Sequence, residues 1–352
     1  MRVLHLCPLW HPVGIDAIGG IETLLAALIP ALTEEGVTSA IVATADSTAS
    51  ATIIPASECG LVNLMARGAA AEYEFHEQHL LALAIRESAS YDLVHSHIGS
   101  AALCLSELEG MRGRVLHTIH SPVGPDLCSF VTHHTDYWYS TVSEFQSRRV
   151  QAAGASHCRA IHNGIDMAAF PVGHDPGDAL VFLGRMEPVK GPDVAIRVAK
   201  AIGKQLVLAG PVVDEKYFEE RVASRLDSEI TYAGVVGHDG KSDLLRKSAC
   251  ALLPFSGDEP FGMVALEAMA SGTPVASFAS GALPEIVDDG VTGYLAPRDD
   301  EDALASCASN ACALPRDVVR RRAVERFDVS RTAAGYAEIY SSMLDASRAA
   351  AS

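Results

Sequence analysis

Lysine is missing from the first half of this chain. None occurs before Lys190, and arginine carries all the basic charge up to that point. Residues 1–165 hold 8 Arg against 16 Asp and Glu, and the whole 352-residue chain has a formal net charge of −17. So acidic a surface repels nucleic acid and anionic lipid, which argues against both as partners. Cysteine is sparse: eight residues stand singly, with no Cys-x-x-Cys pair. Reduced thiols and a cytoplasmic location are the expectation. No apolar run approaches the ~20 residues of a membrane helix. Residues 1–7 read directly as a strand, with neither the basic start nor the cleavage site of a signal peptide. Also absent are the Gly-x-Gly-x-x-Gly fingerprint and a phosphate loop of Walker spacing. Their absence argues against a nicotinamide dehydrogenase.

What the chain does have is length and alternation. At 49% hydrophobic, 352 residues suffice for two cores. Short apolar runs at residues 2–10, 39–44, 91–98, 114–121, 137–142 and 159–163 read as buried parallel strands. Helical periodicity fills the gaps at 20–35, 71–88 and 143–153. A Pro/Gly/Asp cluster at 171–178 reads as a linker. A second series follows, with strands at 179–184, 205–209, 229–233, 251–255 and 274–278. Its helices are expected at 192–201, 217–226, 242–249 and 261–270, and residues 317–346 read as one last helical stretch. The fold class is therefore α/β: two Rossmann-like, doubly wound parallel-sheet domains facing a cleft, the first spanning 1–168 and the second 169–329.

Four constellations carry chemistry. The first is the segment from Glu259 to Val275. A helix starting near Phe261 aims unpaired N–H groups at a ligand, and Gly262 permits close approach. Glu259 and Glu267 lie too far apart for a carboxylate dyad. They suit two ends of one extended ligand, a ribose and a hexose. Glu267 sits in an almost wholly apolar helix and needs a partner, which favours a functional reading over a surface charge. The second is Arg185 and Lys190, a planar fork and a point charge placed around a turn for one diphosphate. The third is Gly19-Gly20, whose N–H groups open a helix towards phosphate. The fourth is a set of histidines: His95, His97, His117, His120, His133, His134 and His162. His120 stands where a strand empties towards the ligand and reads as a contact. The others read as core or rim residues, and no metal is expected because no Asp, Glu or Cys stands at ligand spacing. The acidic run Asp300-Glu301-Asp302 reads as a helix cap.

Taken together these residues resemble family 4 of the retaining glycosyltransferases, which have the two-Rossmann GT-B fold. The resemblance runs from Gly184-Arg185 through Glu259–Val275 to Gly290–Leu295. In the first domain it rests on Gly19–Glu22, Asp92–His97, His120, Val142–Glu144 and Asn163–Asp166. It implies that Arg185 and Lys190 hold the donor diphosphate and that Glu267 binds the ribose. Glu259 and the backbone of Phe261, Gly262 and Met263, with Val264 alongside, would hold the sugar. The backbone of Gly234, Val235 and Val236 would read the base, Gly19 and Gly20 would approach the phosphate, and His120 would lie beside the transferred sugar. The helix from about residue 330 to 352 would return to the first domain. Where many members have Gly-Gly, this chain has Ser280-Gly281-Ala282. The expectation is a retaining transferase using a nucleotide-diphosphate sugar, UDP being the family's commonest donor. The acceptor would be small and soluble, bearing a hydroxyl or amine, with no cofactor, no metal and no strong membrane attachment. A nucleotide-sugar epimerase or phosphorylase, or a non-catalytic nucleotide-sugar-binding protein, is the alternative on the same fold.

Overall fold

The computed structural model describes residues 1–174 and 176–351. The chain divides into two compact units: Met1–Ile165 with Val329–Ser352, and Asp166–Asp328. These boundaries fall slightly before those read from the sequence. The reason lies in Arg320, whose guanidinium donates to the carbonyls of Met167 (2.6 Å) and Phe170 (2.9 Å) and so ties residues 167–170 to the second unit. Nor is 171–178 a free linker. Gly173 N–H donates to Ser271 O (3.2 Å) and Gly177 N–H to Lys247 O (2.7 Å), although Asp175 lies outside the described residues.

The first unit is a seven-stranded, wholly parallel sheet. Its strands are β1 (Arg2–Leu6), β2 (Thr38–Thr44), β3 (Thr52–Ser57), β4 (Leu93–Ser96), β5 (Val115–Ile119), β6 (Trp138–Thr141) and β7 (His157–Ala160), in the order β3-β2-β1-β4-β5-β6-β7. That order reverses beside β1, as in doubly wound folds. Strands covered on both faces lose nearly all water contact, so β1, β4 and β5 are buried almost throughout, their His5, His95, Ser96, His117 and Thr118 included. One face packs Val3, Ile41, Leu93 and Leu116 under the helices Gly20–Glu34 and Val329–Ala351, the latter supplying Tyr336, Ile339, Tyr340 and Met343. The other face packs Leu4, Leu6, Val42, Val94 and Val115 with Leu80, Leu83 and Ala84 from the helix Tyr73–Glu87.

The second unit repeats the plan with β8 (Leu180–Leu183), β9 (Leu206–Ala209), β10 (Ile230–Tyr232), β11 (Cys250–Leu253), β12 (Val275–Phe278) and β13 (Gly293–Ala296). All are parallel, in the order β10-β9-β8-β11-β12-β13. Several expectations change. The final helical stretch breaks at Asp328, whose extended backbone (ψ 137°) separates Arg316–Phe327 from Val329–Ala351. The helix read at 217–226 is a chain of short turns, a π-turn at Phe218–Val222 flanked by tighter ones. The last strand of the first half lies at His157–Ala160, a little before the 159–163 expected.

Candidate active site

In the second unit, β11 opens into a loop that ends at Gly262, the N-cap of the helix Met263–Ala270. The helix therefore starts two residues later than the sequence reading placed it. Phe261 is instead buried, its ring edge-on to Phe327 with centroids 6.1 Å apart. Gly262 holds φ at +101°, and a Cβ there would come within 2.8 Å of Leu283, so only glycine fits. Leu266 is the first residue to bond back along the helix, its N–H donating to Gly262 O (3.2 Å). The N–H groups of Met263, Val264 and Ala265 precede that bond and stay free for a ligand. The loop carrying Glu259 is clamped by Ser280-Gly281-Ala282. Ala282 N–H donates to Glu259 O (2.9 Å), and Gly281 packs so tightly on the Glu259 main chain that no side chain fits.

The charges pair in a way that the sequence reading did not place. Lys190 Nζ lies 2.6 Å from Glu259 Oε2, both side chains largely covered, and 4.3 Å from the Phe255 ring centre. Arg185 turns to Glu187 at 2.7 Å and is 58% exposed. Each cation thus already has a carboxylate partner, so neither stands bare for a diphosphate. Glu267 is buried, and Lys241 on the helix His238–Lys247 forms its ion pair. The need for a partner, which favoured a ligand role for Glu267, is met within the chain. Lys241 was missed: it lies in Gly240-Lys241-Ser242, inside a helix, with no sequence signal linking it to a carboxylate 26 residues away. After β10, Gly234 O accepts from Gly210 N–H (2.9 Å), Val235 is 53% exposed and Val236 is half-buried.

In the first unit, Gly19 caps the helix Gly20–Glu34. Glu22 folds back so that its carboxyl group lies where a Gly19 side chain would be. It accepts from its own N–H and from that of His11, while burial pushes its pKa up to about 7. The helix start expected to meet phosphate through Gly19 and Gly20 therefore already holds a carboxyl group. His120 follows β5 and is half-buried, and burial lowers its pKa to about 4. Its Nε2 lies 3.0 Å from His97 Nδ1.

Behind His120 the structure gathers His5, His95 and His97, all buried, with ring nitrogens within 4.8 Å of one another. Among the described residues this is the group spaced to hold a metal ion. His5 was not singled out from the sequence, although β1 places it directly beside His95 in the register of β4. His117 bonds Ser106 (2.8 Å), and His134 stacks on Phe130 with centroids 4.1 Å apart. These two serve packing in the first unit.

Two family models match. Residues 18–169 fit "Glycosyltransferase Family 4" and residues 177–313 fit "Glycosyl transferases group 1". A D-inositol 3-phosphate glycosyltransferase of Kribbella flavida is 29% identical, over 92% of this chain and 90% of that protein. A phosphatidyl-myo-inositol mannosyltransferase of Mycobacterium leprae is 26% identical, over 97% and 96%. A glycosyltransferase of avilamycin A biosynthesis superposes with a TM-score of 0.74 at 26% identity, covering 98% of both chains. Anabaena HepE in complex with UDP-glucose gives 0.75 at 18%, covering 97% of this chain and all of that one. No helix among the described residues is long and apolar enough to cross a membrane. With both halves matched and both sheets in doubly wound order, the chain belongs to glycosyltransferase family 4 and is a glycosyl-transferring enzyme of the GT-B fold.

Proposed function

We propose that this enzyme moves a sugar from a nucleotide diphosphate, UDP being the preferred carrier, to a hydroxyl of a small soluble acceptor, with retention at the anomeric carbon and without a metal ion. The observation that carries this reading is the pair of cation–carboxylate contacts, Lys190–Glu259 and Lys241–Glu267. They lie at either end of one helix start whose first N–H groups are free. A donor entering here would exchange partners with the protein. The diphosphate would take Lys190 and Arg185, and the freed Glu259 would accept from sugar hydroxyls. Glu267, held by Lys241, would accept from the ribose, and Gly234–Val236 would line the base.

As the bond from the anomeric carbon to the phosphate oxygen breaks, negative charge grows on the diphosphate. Lys190, Arg185 and the N–H groups of Met263 and Val264 would take it up. The acceptor oxygen would bond to that carbon on the same face, and the departing phosphate oxygen would take the acceptor's proton. Cations and a helix start answer the diphosphate's charge, so the step needs no divalent ion. The UDP-glucose complex of HepE supports the choice of carrier. The two inositol-directed relatives support a polyhydroxylated acceptor. The acidity of residues 1–165 favours a soluble acceptor over one embedded in anionic lipid.

The test is a thermal-shift screen of UDP-, GDP-, ADP- and dTDP-sugars, since a bound donor raises Tm by mass action. Turnover with soluble polyols and with phosphatidylinositol vesicles follows, with the product anomer read by NMR. An inverted anomer, or transfer only to the vesicles, overturns the corresponding part of the reading.

A further inference from the structure

A file of hydrogen bonds crosses one face of the first sheet. His120 Nε2 lies 3.0 Å from His97 Nδ1, His97 Nε2 lies 3.4 Å from His5 Nδ1, and His5 Nε2 lies 3.3 Å from Ser39 Oγ. Each imidazole uses one nitrogen on each side, always in the same sense. Ser39, His5, His97 and His120 come from four neighbouring strands or their ends, on the face covered by the helix Val329–Ala351.

A neutral imidazole carries one N–H and one bare nitrogen. Each contact in the file therefore needs a proton from one side only, and this couples the rings. If Ser39 donates to His5, then His5 donates to His97 and His97 to His120, and every ring carries its proton on Nδ1. If the direction reverses, every ring carries it on Nε2 and His5 donates to Ser39. Any mixture sets N–H against N–H, or lone pair against lone pair, in a buried site where neither is repaid by water. A charged ring would relieve the conflict, but burial pushes His5, His97 and His120 well below the usual imidazole range.

We propose that His97 is a positioning residue, and that through it the file His5–His97–His120 fixes whether His120 presents a donor or an acceptor at Nδ1, the nitrogen left for the substrate. This rests on reading His120 as the histidine beside the transferred sugar. In the Nε2–H state His120 Nδ1 accepts from a sugar or acceptor hydroxyl; in the Nδ1–H state it donates. One arrangement converts to the other when His120 Nδ1 gives its proton to the substrate side, each ring passes its own proton to the next, and half-buried Ser39 gives its hydroxyl proton to His5 and takes one from water; every group is neutral before and after. His95 takes no part in the file. Its Nδ1 lies 2.6 Å from Tyr340 Oη and its Nε2 2.6 Å from Thr118 Oγ1, so both nitrogens are taken. It holds His97 in place by ring contact, with centroids 3.9 Å apart. The same bonds argue against a metal at His5, His95 and His97. A ligand must turn a bare nitrogen to the ion, and His95 has none to spare.

The experiment labels the whole protein with 15N-histidine and reads two-bond 1H–15N correlations, which separate protonated from bare ring nitrogens. The expected result is one shared tautomer for His5, His97 and His120. Mixed tautomers overturn the proposal, as does one equivalent of zinc in the purified protein by elemental analysis. In His97→Phe, His120 should lose its fixed tautomer, and kcat should fall about 10- to 100-fold with donor KM nearly unchanged. His97→Asn, whose amide reaches the place of Nδ1, should recover much of both. An unchanged His120 spectrum in His97→Phe overturns the idea. Should that variant not fold, the wild-type spectrum decides alone. The tautomer reading needs no turnover, so its failure and a failure to find sugar transfer are separate results.

Discussion

The two units solve the same problem, a polar site beside a parallel sheet, with opposite chemistry. The first has no lysine and lines one face with neutral rings and hydroxyls: His5, His95, His97, Thr118 and Ser140. The second holds all six lysines of the chain and sets two of them against buried or half-buried carboxylates. Neutral hydrogen bonds fix direction and tautomer without charge. Ion pairs store charge that a ligand can claim by exchange. Under the proposed function the second unit would meet the donor's diphosphate with charge, and the first would orient a hydroxyl with neutral hydrogen bonds.

The contrast breaks most visibly at Lys190. Lys190→Ala should cost turnover on the order of 10²-fold or more, because the diphosphate loses its nearest point charge. Steady-state kinetics with the donor found in the screen measures it, and near-normal activity would remove the charge-exchange picture. Next is the buried pair. Lys241→Ala strands Glu267 and should destabilise the protein by about 3–5 kcal/mol in urea denaturation. The double change Lys241→Met with Glu267→Met should restore most of that stability while donor binding stays lost. If the double variant still binds donor, the pair serves only the fold.

Glu22 sharpens the comparison, since it is a buried carboxyl group in the unit whose other buried polar side chains are imidazoles, hydroxyls and amides. Its native pKa of about 7 lies above the ordinary 4.5, so the native state holds a proton that the unfolded chain has lost. Its contribution is present below pH 4.5 and is lost as pH rises to 7. The buried histidines act the other way: their native pKa values are lowered, and stability is lost as pH falls below 6.5. Glu22→Gln should therefore gain stability over wild type as pH rises from 4.5 to 7, by roughly 3 kcal/mol, and then level off. A gain that does not change with pH would refute the buried-acid reading. The smallest effect is expected from chelation: activity should survive dialysis against EDTA, and restoration by added Mg²⁺ or Mn²⁺ would contradict a metal-independent step.

Much of this was legible in the sequence. Buried parallel strands announce themselves as bare apolar runs, and the Glu259…Glu267 segment marks its strand–loop–helix turn by composition. The misses have physical causes. β3 carries Pro55, which lowers its strand signal but is tolerated at a sheet edge. β13 begins at Gly293 and is also an edge strand. The break at Asp328 has no Pro or Gly to mark it, since it is where the chain re-enters the first unit, with Val329 N–H donating to Ile165 O (3.1 Å). The site was legible by residue type and not by pairing. Lys190 with Glu259, Lys241 with Glu267 and His5 with His97 are contacts across the fold, and no local pattern encodes them.

The helix Val329–Ala351 carries a further consequence, in the order of events during synthesis. The core of the first unit needs Tyr336, Ile339, Tyr340 and Met343 over Val3, Ile41 and Leu93. Those four residues leave the ribosome after all of Asp166–Asp328, which is continuous in sequence and needs nothing later. The unit translated first is thus the one closed last. Until then the nascent chain leaves part of that sheet face, with Val3, Leu93 and Leu116 among its histidines and hydroxyls, without its final cover, and chaperone capture should persist until this helix emerges.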